Sequence, residues 1–182
     1  MSTPAEGFAV SRRSGDAAPL LLGIDPGLQR TGYAILSAGS RLDDAVLVEA
    51  GVIRLTPRTP LEERLVELEK SLAAVIEAHH PAILTCEQLY AHYKHPRTAI
   101  LMGHARGVIL ATAARMGVRV LSVAATNVKK VLTGNGHASK RQMQRCVAST
   151  LRLARLPEPH DVADAIAIGL CGLRMSEAAR IG

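Results

Sequence analysis

The chain has 182 residues, 48% of them hydrophobic, which excludes a disordered protein and predicts one domain with a buried core. Its 22 lysines and arginines exceed its 16 acids, and the net charge of +6 favours a polyanionic partner such as nucleic acid. No apolar run reaches transmembrane length. The three cysteines are widely spaced and indicate neither a zinc site nor a disulfide framework, and this cysteine usage fits a reducing cytoplasm.

The first half of the chain predicts a tail followed by strands. Residues 1–19 are small, polar and rich in chain-breaking residues, so we expect a flexible N-terminal tail before a single domain over residues 20–178. Continuous apolar runs then predict strands at 21–25, 31–36 and 45–55, the first two forming a hairpin.

The second half alternates between helix and strand. Leucines recur at steps of three and four from residue 61, which predicts an amphipathic helix to about His79. The elements after it are a strand at 82–87, a helix at 96–116, a strand at 118–123, shorter helices at 125–133 and 139–153, and a last helix that begins near Asp161. This order predicts an α/β fold, with a mixed sheet of five strands and helices on both faces.

Four acids lie at the ends of these elements. Asp25 and Glu87 end two buried strands, while Asp161 and Asp164 lie three apart in the first turn of the last helix, so that their carboxylates point the same way. Taken singly, Asp25 fits a turn aspartate, and Asp161 and Asp164 fit acids favoured by the helix dipole. Taken together, they predict one carboxylate cluster neutralised by divalent cations such as Mg²⁺ or Mn²⁺, and hence metal-assisted phosphoryl chemistry.

Aromatic and basic residues follow Glu87 in the segment QLYAHYKHPR. Tyr90 and Tyr93 alternate there with Lys94 and Arg97. Aromatic rings among cations are typical of surfaces that stack on unpaired bases. The alternative is a polar loop whose tyrosines fold back on the sheet.

A second basic region surrounds the Gly134-Asn135-Gly136 turn. Ser139 is predicted to cap the helix that follows this turn, and such a helix N-terminus attracts phosphate. The basic residues of the region are Lys129, Lys130, Lys140, Arg141 and Arg145. They predict contact with nucleic acid, and a solvated charged face is the alternative.

The helix at 96–116 carries small residues at steps of four. They are Ala99, Gly103, Gly107 and Ala111, and this set is called the small-residue stripe below. It permits close approach by another backbone, either the chain's own sheet or the same helix of a second copy at a dimer interface. Of seven histidines, only His137 and His160 lie near the predicted chemistry.

Together, these motifs resemble the RuvC family of bacterial Holliday-junction resolvases, in the RNase H/integrase-like nuclease superfamily. The resemblance covers about residues 20–175 in order, through GIDPG, CEQ, ARGV, KxxxxGNG…K and DVADAIAIG. It implies an RNase H-like fold in which metal binding and catalysis fall to Asp25, Glu87, Asp161 and Asp164. It also implies that Tyr90, usually phenylalanine in the family, engages bases at the junction centre, and that Lys129 and Lys140 contact the scissile region.

The resemblance also implies an activity and its partners. A homodimer would nick two opposed strands symmetrically in homologous recombination and DNA repair, with two Mg²⁺ ions per active site, or Mn²⁺ in their place. The products would carry 5′-phosphate and 3′-hydroxyl ends, and RuvA and RuvB would be cellular partners. Some relatives carry histidine at the position of Asp161, which leaves open whether His160 joins the metal ligands here.

Three other functions are weighed against this one. Another nuclease of the same fold, such as an RNase H, would not need the paired tyrosines, the basic region and the small-residue stripe. An actin-like ATPase shares a GIDPG-like first loop but needs a second phosphate loop and an adenosine pocket, and neither is visible in the sequence. A catalytically silent junction-binding protein would not need four clustered acids.

Overall fold

The computed structural model describes residues 8–9, 18–39, 44–89 and 96–181, with side chains for 18–39, 44–89 and 97–176. The strands are β1 (Phe8–Ala9), β2 (Leu20–Asp25), β3 (Arg30–Ser37), β4 (Val46–Arg54), β5 (Ile83–Glu87) and β6 (Arg119–Val123). The helices are α1 (Leu61–His79), α2 (Pro96–Arg115), α3 (Ala125–Thr133), α4 (Lys140–Thr150) and α5 (His160–Ile181).

The strands form one sheet in the order β1-β4-β3-β2-β5-β6. Strands β2, β3 and β4 are antiparallel neighbours, whereas β5 and β6 run parallel to β2, so the predicted mixed five-stranded sheet is confirmed. The structure adds β1 at the edge, where Phe8 lies opposite Ala50 of β4. These two residues of the segment expected to form a tail are therefore part of the sheet, and the rest of residues 1–17 lie outside the described residues.

The core has two layers because successive strand residues point to opposite faces of the sheet. Leu21 and Leu36 face a layer built with α3, α4 and α5. Leu22 and Ile35 face a layer built with α1 and α2. Helices therefore cover both faces of the sheet, as predicted. None of the helices in the described part of the chain is long and apolar enough to span a bilayer.

Glycines allow α5 to lie directly on the sheet. The helix is buried almost continuously from Val162 to Leu173, which is typical of a core helix. A Cβ on Gly23 of β2 would collide with the backbone at Ala165 and Gly169, and a Cβ on Gly32 of β3 would collide with the carbonyl of Asp161. The first turn of α5 is thus held against β3 by backbone contact.

The predicted helix bounds agree with the structure to within one residue, except at the end of α4. Ser139 caps α4 as predicted, in a capping box with Gln142. This helix ends at Thr150 and not at 153, since Arg152 adopts a positive φ of 51° that a helix cannot continue through. Helix α2 ends one residue early, at Arg115.

Candidate active site

Asp25 and Glu87 lie side by side at one edge of the sheet. Strands β2 and β5 are parallel neighbours, with Ile24 beside Cys86, so the next residue of each strand is one of the two acids. Ligand sites of open α/β sheets lie at this carboxyl edge of the strands. The sheet therefore places the two carboxylates together although 61 residues separate them in sequence.

The turn after Asp25 is fixed by a buried threonine. The Thr31 hydroxyl donates to the Gly27 carbonyl oxygen at 2.7 Å and accepts from the Gly27 N–H at 3.3 Å. Gly27 leaves no room for a Cβ, because the carbonyl of Arg30 occupies that place. These contacts set the point at which the chain reverses, and hence the position of Asp25.

Asp161 and Asp164 reach the same edge from above the sheet. Gly32, which supports the carbonyl of Asp161, is the strand partner of Asp25 in the β2–β3 pair. The first turn of α5 therefore stands over the end of β2. Three separate stretches of the chain bring the four predicted acids together.

Burial, together with repulsion from neighbouring acids, raises the pKa values of Asp25, Glu87 and Asp164. Burial, followed by repulsion from Asp164, Glu87 and Asp161, raises the pKa of Asp25 from 3.8 to about 7. Burial, followed by repulsion from Asp164, raises the pKa of Glu87. The pKa of Asp164 is raised mainly by burial, with repulsion from Asp161 adding to it. Mutual repulsion of this kind is characteristic of carboxylates gathered at a functional site.

Two predicted lysines face the same acids. The charge of Lys129, on α3, lowers the pKa values of Glu87 and Asp164 and so opposes the effect of burial. Lys140, at the start of α4, does the same for Asp25 and Asp164. Both lysines therefore lie at the acidic cluster and not on a remote charged face.

The donor set suits a hard divalent cation, since carboxylate oxygens are the ligands that Mg²⁺ and Mn²⁺ prefer. Within the described residues, no three His, Cys, Asp or Glu side chains are grouped closely enough to hold one ion as they stand. Repulsion between the carboxylates acts against such a grouping until a cation neutralises them. The residues fit the cation in chemistry and location.

The other predicted site residues differ in their surroundings. Arg97, Lys130, Arg141, Arg145 and His137 are exposed. His160 opens α5, and its ring Nδ1 lies 2.8 Å from Nε2 of Gln144 on α4. Tyr90, Tyr93 and Lys94 lie outside the described residues.

The small-residue stripe faces away from the sheet. Nothing lies within 4 Å of a Cβ built on Gly103 or Gly107, and Ala111 is exposed. The opposite side of α2 is buried through Ala105, Ile109 and Ala113. Packing of the stripe on the chain's own sheet is therefore excluded, and this side of α2 is open to a partner.

Sequence reasoning gave no role to two sets of residues that shape the site. Gly23 and Gly32 admit α5, and glycine inside a predicted strand is a known sign of close backbone approach. Arg106 of α2 donates from Nε to the main-chain carbonyl of Glu87 at 2.9 Å. No sequence pattern indicates this contact, because any residue offers the same acceptor.

The chain is similar to known proteins over most of its length. A sequence model of the family "Crossover junction endodeoxyribonuclease RuvC" matches residues 21–172. A protein of that name from Rhodopirellula baltica is 52% identical over 164 residues, 90% of each chain. Another from Pelotomaculum thermopropionicum is 40% identical over 84% of this chain and 91% of its own.

Solved structures share the fold. Thermus thermophilus RuvC in complex with Holliday junction substrate superposes with a TM-score of 0.83 at 28% identity, covering 88% of this chain and 96% of its own. The yeast mitochondrial Holliday junction resolvase Ydc2 gives 0.61 at 14% identity, covering 91% of this chain and 85% of its own, which is a likeness of fold alone. The predicted RNase H-like resolvase fold is thereby confirmed.

Proposed function

The chain belongs to the RuvC family of crossover junction endodeoxyribonucleases, and we propose that it cuts four-way DNA junctions by hydrolysing opposed phosphodiester bonds. The observation that carries the proposal is the gathering of four carboxylates from β2, β5 and α5, with Lys129 and Lys140 beside them. A protein that only binds junctions would gain nothing from a cluster of buried acids that repel one another and the DNA phosphate.

Asp25, Glu87, Asp161 and Asp164 would hold the metal, for which we propose two Mg²⁺ ions with Mn²⁺ as a substitute. Bound there, the ions would activate the attacking water and stabilise charge on the leaving 3′ oxygen. His160 is placed to join or support this shell, since it opens the same helix turn and its charge lowers the pKa of Asp164. Because the pKa of Asp25 is raised to about 7, this carboxyl would give up a proton near neutral pH when it binds a metal.

Lys129 and Lys140 supply the positive charge that the scissile phosphate needs among four acids. Their position supports contact with the reacting phosphate, while Lys130 and Arg141 on the exposed sides of α3 and α4 would bind flanking phosphates. Tyr90, Tyr93, Lys94 and Arg97 are proposed to engage the junction centre, where a ring can stack on unpaired bases.

Paired nicking requires two active sites, and we propose that α2 provides the dimer contact. Glycines at steps of four allow two backbones to approach closely, and Gly103 and Gly107 have open space above them. Ile100, one residue after Ala99, is 61% exposed, as expected of an apolar side chain that a partner covers.

The cellular setting follows from the substrate. A junction cutter of this family would act in homologous recombination and DNA repair, with RuvA and RuvB as partners. The three cysteines are free, two of them buried, which suits the proposed cytoplasmic location.

The test compares a labelled four-way junction with a linear duplex of the same arm sequences, each with Mg²⁺ or with chelator. We expect two opposed nicks, with 5′-phosphate and 3′-hydroxyl ends, only in the junction and only with Mg²⁺. Cleavage of RNA–DNA hybrid in preference to the junction would identify a different nuclease of this fold. Junction binding without cleavage would identify a silent binding protein.

A further inference from the structure

Arg106 links α2 to the strand that carries a catalytic acid. Its guanidinium donates from Nε to the Glu87 carbonyl oxygen at 2.9 Å and from Nη2 to the Ser122 hydroxyl at 2.8 Å. Ser122 lies beside Cys86 in the β5–β6 pair, so the two hydrogen bonds bridge both strands at the point where β5 ends. The residue belongs to the ARGV motif.

The acceptors described for this cation are not carboxylates. One is a main-chain carbonyl and the other is a hydroxyl. Because the donor is charged, both hydrogen bonds are stronger than those between neutral groups. The Cys86 thiol also donates to the Glu87 carbonyl, at a longer Sγ···O distance of 3.7 Å, and it makes a side-chain hydrogen bond with Arg106. Arg106 therefore acts on the chain conformation at Glu87 and not on an ionised partner.

The hydrogen bond fixes the residue whose side chain enters the acidic cluster. The N–H of the following residue, Gln88, donates to the Val123 carbonyl at 2.8 Å, so the peptide group between Glu87 and Gln88 is held through both its oxygen and its nitrogen. With that peptide held, the backbone is fixed at the residue whose carboxylate is repelled by Asp164. Side chains that orient ligands in this way are known to govern metal affinity.

We propose that Arg106 is a positioning residue for Glu87, holding its main chain so that the carboxylate is presented to the metal. The inference rests on the proposed function, since it assigns Glu87 to the metal. Arg106 also lines an open depression of about 430 Å³ with Gln88, Leu89, Gly103 and Gly107, two of which belong to the small-residue stripe. A partner bound at the stripe would cover this guanidinium. The hydrogen bond from Arg106 to the Glu87 carbonyl would then be stronger, because hydrogen bonds gain strength away from water.

The experiment compares Arg106→Met, Arg106→Lys and Glu87→Gln with the wild type. Methionine keeps the apolar stem and removes both hydrogen bonds, whereas lysine keeps the charge and can reach one acceptor. Arg115→Gln is the matched control, because Arg115 lies at the end of the same helix and pairs with Glu69 away from the site. The measurements are Mn²⁺ binding without DNA, by electron paramagnetic resonance of the free ion, then single-turnover cleavage, junction affinity and thermal midpoint.

We expect Arg106→Met to lose about 10- to 100-fold in Mn²⁺ affinity and in cleavage rate, in the direction of Glu87→Gln, and Arg106→Lys to lose less. Junction affinity should stay within about twofold, as for a residue that binds no phosphate. If Arg106→Met does not fold, a weakened Mn²⁺ affinity in a folded Arg106→Lys supports the proposal, and an unchanged one overturns it.

Two further results would overturn the inference. One is wild-type Mn²⁺ affinity in a folded Arg106→Met, and the other is a loss confined to junction affinity, which would make Arg106 a phosphate contact. Failure of the proposed function would give a different result. The wild type itself would then not cleave junctions, and Glu87→Gln would change nothing.

Discussion

Asp25 shows how a single residue reports on its surroundings. Its raised pKa of about 7 means that the folded protein keeps a proton that the unfolded chain loses near pH 4. The folded state therefore binds more protons between these values, and the free energy of unfolding falls as pH rises from about 4 to about 7. Ionisation of Asp25 in the folded protein therefore lowers the free energy of unfolding at neutral pH.

Asp25→Asn removes this ionisation and tests its cost. In chelator, the variant should be more stable than the wild type at pH 8 by on the order of a few kcal/mol, and about equally stable at pH 4. Saturating Mg²⁺ should reduce or reverse the difference, because the cation stabilises only the ionised cluster. Denaturant unfolding across this pH range is the measurement. A stability difference that does not change with pH would show that folding does not raise the pKa of Asp25.

Lys129 and Lys130 are neighbours in sequence with different surroundings. Lys129 faces Glu87 and Asp164, whereas Lys130 is exposed. Lys129→Ala should slow cleavage of bound junction by about 100-fold, as for loss of a donor to developing charge. Lys130→Ala should leave that rate unchanged and reduce the salt slope of binding by about one. Equal cleavage rates in the two variants would place Lys129 among the flanking contacts.

The sequence indicated that the four acids and two of the lysines lie at one site, and their roles there stay predictions. Asp25 and Glu87 end apolar strands, where an ordinary core residue would be apolar, and the family resemblance selects Lys129 and Lys140 among many cations. Arg106 could not be predicted in this way, because it recognises a main-chain carbonyl that the sequence does not mark.

At the scale of elements, the contact between α5 and the sheet positions half of the acids. Gly32→Ala would place a methyl group on the carbonyl of Asp161. We expect a loss of about 1–3 kcal/mol of stability, as for overpacking, together with slower cleavage as the first turn of α5 is displaced. Chemical denaturation and single-turnover cleavage measure the two effects.

Ser149→Ala is the control for Gly32→Ala, since Ser149 is exposed on α4 and alanine favours a helix. It should not destabilise the protein. Wild-type stability and cleavage in Gly32→Ala would mean that the position of α5 does not depend on this glycine.

One side of helix α2 is buried through Ala105, Ile109 and Ala113, and the other side carries the proposed dimer contact. Gly103→Leu or Gly107→Leu would hold two facing backbones apart, so analytical ultracentrifugation should show more monomer and paired nicking should become single nicking. Ala74→Leu, on an exposed position of α1, is the matched control. Folded variants that remain dimeric would place the interface elsewhere.

The elements of the fold were largely predictable from periodicity, but two kinds of feature were not. The two residues of β1 are too few to show an alternating pattern, so pairing with β4 decides their conformation. The sequence also left open which way the small-residue stripe faces. Only the burial of Ala105, Ile109 and Ala113 on the opposite side settles it.

At the scale of the whole molecule, an excess of positive charge surrounds a concentrated negative site. The net charge of +6 attracts the DNA backbone, while the four acids repel the phosphate that must be cut. This conflict is resolved if divalent cations occupy the cluster. We therefore propose that Asp25, Glu87, Asp161 and Asp164 form one metal site that is needed for cleavage and not for junction binding.

The most direct measurement is the cleavage rate of pre-bound four-way junction, with its affinity, for Asp25→Asn, Glu87→Gln and Asp164→Asn in Mg²⁺. Each variant should lose at least about 100-fold in rate and bind the junction as tightly as the wild type or more tightly, because negative charge has been removed. Asp161→Asn should also be severely impaired, with His160 able to substitute in part. Near-normal cleavage by Asp25→Asn or Glu87→Gln would contradict the account.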